Sequence, residues 1–150
     1  MTAIPASTEG VTTQGQRWMR PVLWAAALYN LLFGAIAVIF PALLFRWAGL
    51  PLPNYPEIWQ CLGMVIGVYG IGYAIAATNP RRHWPIVLVG LLGKIFGPIG
   101  FLRAAMLGRL PWKAGWMNVF NDLIWWIPFT LILMDALRGW KSSAGTSDVR

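Results

Sequence analysis

Cysteine, histidine and acidic side chains are scarce in this chain: one Cys, one His, and five Asp and Glu together in 150 residues. A lone cysteine excludes an internal disulfide framework, and with a lone histidine it cannot complete a zinc site or a pair of axial haem ligands within one chain. Neither a bound metal nor another cofactor is expected. Charged residues of both signs reach only 11%, against 57% hydrophobic residues, ten tryptophans and sixteen glycines. That is more apolar surface than a soluble domain of this length can bury, so the lipid bilayer is the expected surrounding. The net charge of +7 does not point to nucleic acid, because the basic residues fall in ones and twos beside apolar runs, as in loops at a membrane surface.

Residues 1–20 read as a disordered tail: up to Gln16 they are rich in Thr, Ser, Gly, Gln and Pro without an apolar period, and Arg17 and Arg20 end the stretch. The apolar run that follows is longer than a signal-peptide core and is expected to be retained as a span. Hydropathy predicts four spans, at 21–45, 57–77, 84–104 and 114–137, each near the roughly 20 residues that cross a bilayer. Turn-forming stretches separate them: PLPNYP, Asn79 with Pro80, and Gly108 through Pro111. The fold class expected is all-α, a polytopic bundle of four transmembrane helices over 21–138 followed by a tail at 139–150.

Basic residues set the orientation. Arg17, Arg20, Arg81, Arg82, Arg138, Lys141 and Arg150 fall on one side, against Arg46, Arg103, Arg109 and Lys113 on the other. The excess places both the N- and C-termini in the cytoplasm. Tryptophans fit the same layering, with Trp18, Trp24, Trp84 and Trp140 at one interface and Trp47, Trp59, Trp112 and Trp116 at the other. Trp125 and Trp126 remain, deep in the last span.

Lys94 is the residue most in need of a reason. A lysine at a bilayer centre costs about 2.5–3.5 kcal/mol on an insertion scale, so an intramembrane lysine is by default a functional candidate with a partner to be found. At 1.5 Å per residue, Lys94 lies about 15 Å from one end of its span and Asn30 about 14 Å from the same side of the first. Asp122 falls at roughly 18 Å, in the same midplane layer. Opposite charges at that depth should pair, since either alone would neutralise or remain at great cost. Helical spacing adds Asn118 and Asn121 to a candidate cluster of Asn30, Lys94, Asn118, Asn121 and Asp122. Tyr69 and Tyr73 are candidates to satisfy its remaining donors and acceptors, and Trp125 and Trp126 to donate to the Asp122 carboxylate.

Three roles suit such a pair: a structural clamp between the third and fourth helices, proton or solute handling, and catalysis. Small residues recur at helical spacing in every span, including Gly63, Gly67 and Gly70 and the series Gly90, Gly93, Gly97 and Gly100, and close helix packing explains them. Four spans leave little room for a cavity, so a homodimer or a partner subunit of a membrane assembly is expected. At the span ends, Glu57 has Arg46 or Arg103 as possible partners, and Asp135 has Arg138 three residues on.

The segments IWQCLGMVIGVYGIGY, RHWPIVLVGLLGKIFGPIGF and NDLIWWIPF resemble a group of small bacterial four-span membrane proteins of uncharacterised function, DoxX-like in layout. The resemblance covers about residues 25–137 and implies a multi-pass protein of the bacterial inner membrane. Some similar sequences carry the label alkyl hydroperoxide reductase, which would make Cys61 a redox residue. A peroxidatic cysteine needs an accessible thiolate and cationic or hydroxyl donors. Cys61 lies within a helix between Gln60 and Leu62 without such a motif or a second cysteine. The leading expectation is therefore non-enzymatic, small-solute or proton translocation or a subunit role, with membrane redox chemistry at Cys61 as the alternative.

Overall fold

The computed structural model describes residues 17–144, with side chains to Gly139, and is all-helical there. Most of the two expected tails falls outside that range. Helix α1 is Met19–Ile39, α2 Leu43–Ala48, α3 Pro56–Thr78 and α4 Trp84–Met106. A 3-10 turn at Trp112–Gly115, a single turn α5 at Trp116–Asn118 and a π turn at Val119–Leu123 lead into α6, Ile124–Ala144. Four helical segments are long and apolar enough to cross a membrane, Trp112–Gly139 counting as one. The chain is a multi-pass membrane protein.

The first span begins two residues before Pro21 and ends at Ile39, short of the Phe45 that hydropathy suggests. Pro41 lacks the N–H a continuing helix would use, so the chain turns, and 43–48 forms the separate helix α2. Gln60 Nε2 donates to the Val38 carbonyl at 2.7 Å, satisfying one acceptor that the break leaves open. Gly49 closes α2 in the left-handed region, φ +64°.

The helices pack chiefly as two pairs, α1 along α3 and α4 along the last span. The first pair meets backbone to backbone: a Cβ on Gly34 would lie 2.6 Å from the Gly63 carbonyl oxygen, and one on Gly70 would lie 2.9 Å from that of Ala27. In lipid such close approach supplies the attraction that the hydrophobic effect supplies in water. The pairs join through a core that includes Leu23, Tyr73, Val87, Trp125, Phe129 and Ile132. Leu32, Ile58, Val68, Phe96 and Ile127 are exposed, the apolar skin expected of a bundle in a bilayer.

At the end carrying the α3–α4 turn, Arg81 clasps Asp135 with Nε and Nη2 at 2.7 and 3.2 Å. This hydrogen bonding raises the Arg81 pKa, keeping the guanidinium charged. The clasp also replaces the local Asp135–Arg138 pairing that sequence spacing favoured, and joins the turn to α6. Nearby, Arg20 Nη2 donates to the Thr78 carbonyl at 2.8 Å at the C-terminus of α3. Among the described residues, no ion pair joins Glu57 to Arg46 or Arg103.

Candidate functional site

Lys94 and Asp122 meet in the interior. Each is 5% exposed as a residue, and Lys94 Nζ lies 3.9 Å from Asp122 Oδ1. The closest partner of the ammonium is not the carboxylate, however. Lys94 Nζ donates to the Asn121 backbone carbonyl at 2.6 Å, while Asn121 Nδ2 donates to Asp122 Oδ1 at 2.8 Å. One residue thus bridges both charges. The bridge forms within the π turn, a wider turn than the α-helix and one that often marks functional sites.

Pro98 explains a second contact. In a regular helix the N–H of residue 98 would bond the carbonyl of residue 94, but proline has none. Trp126 Nε1 donates to that Lys94 carbonyl at 3.0 Å. Neither tryptophan donates to Asp122 as sequence spacing suggested. The Trp125 ring instead faces Lys94, whose Nζ is 5.9 Å from the ring centroid, and the Trp125 indole nitrogen is buried without a partner. The ammonium is held by a cation–π contact as well as by oxygen.

Around the pair lies a cavity of about 160 Å³, to which every span contributes. Asn30 comes from α1, Ile66, Tyr69 and Tyr73 from α3, Gly90, Gly93 and Lys94 from α4, and Asn121 and Asp122 from the π turn. Asn30 is 3% exposed, and its Oδ1, like that of Asn121, is buried without a hydrogen bond. Glycine makes the space. Tyr73 packs directly onto Gly90 where a side chain would stand, and a Cβ on Gly97 would lie 3.2 Å from Asp122 Oδ2. Gly93, by contrast, has nothing within 4 Å of its missing Cβ, so close helix packing does not account for it.

Asn118 does not belong to this cluster. It lines a separate, largely apolar cavity of about 270 Å³ beneath α2, with Phe45, Trp59, Phe101 and Met117 among its neighbours. The expectation grouped Asn118 with Asp122 by α-helical spacing, and the intervening π turn breaks that spacing. Cys61 is exposed on α3, next to exposed Leu62, and is not among the residues lining the cavity. No group of three or more metal-ligating side chains occurs among the described residues. Neither a family model, nor a characterised protein, nor a solved structure matches the chain.

Proposed function

We propose that this is a bacterial inner-membrane protein of the DoxX-like four-span kind, with both termini cytoplasmic, that passes a small polar solute or a proton through a chamber at the bilayer midplane. One observation carries the reading: all four spans converge on a cavity containing a buried Lys94–Asp122 pair and two unpartnered amide oxygens. A clamp between two helices needs the ion pair alone. Open space lined by unsatisfied acceptors from α1 and the π turn adds nothing to a clamp, and in hydrocarbon such groups are costly unless something polar reaches them. Ionisable residues within spans, facing a cavity, are the usual furniture of proton and solute paths.

With four spans, a second copy or a partner subunit completes the path to each surface. The redox alternative gains nothing from the geometry, because Cys61 is exposed on a helix face that we place against lipid, and no hydrogen-bonding or cationic group is bonded to its thiol among the described residues.

Reconstitution tests the reading. Proteoliposomes loaded with a pH-sensitive dye, or challenged with small solutes, should show flux above protein-free vesicles, and Lys94→Met should lower it at least tenfold. Equal flux with and without protein, or with and without Lys94, would reject the reading.

A further inference from the structure

The chamber's wall offers both hydrogen-bond acceptors and donors. Asn30 Oδ1 and Asn121 Oδ1 are buried acceptors without donors. Asp122 Oδ2, opposite Gly97, takes no hydrogen bond among the described residues, since the Asn121 amide is committed to Oδ1. Against these three oxygens stand the Lys94 ammonium, one of whose protons is already held by the Asn121 carbonyl, and the Asn30 amide N–H groups on the same wall. The Trp126 N–H is spent on the Lys94 carbonyl. The Tyr69 and Tyr73 hydroxyls line the space and can act either way. A guest that fits must therefore bring several donors for the oxygens and an acceptor for the ammonium and amide N–H groups.

Charge and volume narrow the class. Lys94 and Asp122 lie 3.9 Å apart and sum to no net charge, so a free ion drawn to one is opposed by the other while it loses its hydration, and an uncharged guest is favoured. The volume of about 160 Å³ is close to that of a cavity of about 150 Å³ that holds a single benzene molecule. Resting on the translocation reading above, we infer that the chamber is a site for a small uncharged solute with several N–H or O–H donors, a compact amide or polyol of the size of urea or glycerol. Its oxygen accepts a hydrogen bond from Lys94, and its own N–H or O–H groups donate to Asn30, Asn121 and Asp122. Each of these contacts replaces a water contact of the solute, and so lowers the barrier to entering the membrane's centre.

The test uses the full chain in proteoliposomes, following volume by light scattering after mixing with urea, glycerol, sucrose or potassium chloride, with a pH-sensitive dye in parallel. Urea and glycerol should enter at least ten times faster than into protein-free vesicles, while sucrose and potassium chloride should not. Asn30→Leu, which removes an unpartnered buried acceptor, should reduce urea and glycerol entry at least tenfold. If that variant does not fold, the size and charge series on the unaltered protein decides alone. Lys94-dependent proton flux without urea or glycerol entry overturns the inference while leaving translocation standing. Accelerated entry of water only, entry of sucrose as fast as glycerol, or full activity in Asn30→Leu also overturns it. No flux of any probe overturns both readings.

Discussion

Pro98 removes the N–H that would have bonded the Lys94 carbonyl, and Trp126 supplies another from a helix 32 positions away. Trp126→Phe leaves that carbonyl unpaired in the interior and should destabilise the bundle by about 1–3 kcal/mol. Introduced into a Pro98→Ala background, where residue 98 can again donate, the same change should cost measurably less. Thermal unfolding in detergent of the four proteins checks it; identical losses in both backgrounds would mean the indole matters only as packing. Half of this arrangement was legible in the sequence. A proline four residues after Lys94 announces an orphaned carbonyl, but nothing local names the donor that fills it. Asp135 shows the same limit, since spacing offered Arg138 nearby whereas the fold delivers Arg81 from 54 residues upstream.

At the scale of helices, the periodicity of small residues located the packing faces but did not distinguish the glycines that touch a neighbour from those that border a cavity. The distinction has consequences. Gly34→Leu or Gly63→Leu would drive a side chain into the opposing backbone of the α1–α3 pair. Either should lower stability by at least the roughly 1–3 kcal/mol typical of overpacking. Gly93→Ala meets nothing within 4 Å and should leave stability within about 0.5 kcal/mol of the parent. Unfolding midpoints that fail to separate these positions would contradict the packing described. The end of α1 and the place of Asn118 were misjudged for related reasons: hydropathy carries through Pro41 although the helix does not, and spacing assumes an α-helix where a π turn intervenes.

For the molecule as a whole, the number of spans and the common depth of Asn30, Lys94 and Asp122 follow from the length of apolar runs and the rise of a helix. All three line one cavity. The sidedness proposed from basic residues is tested by alkaline phosphatase fusions, active after residues 52 and 110 and inactive after residues 81 and 145; the reverse pattern would invert the topology.

The buried pair is tested most directly by a double-replacement cycle scored for both stability and flux. Lys94→Met and Asp122→Asn should each destabilise the bundle, by about 3–5 kcal/mol where the remaining charge stays buried and unpaired. The double replacement should recover much of that stability without recovering flux. Additive losses of stability would show that the two charges do not interact. Full recovery of flux in the double variant would reduce the pair to a clamp and contradict a working role for charge at the midplane.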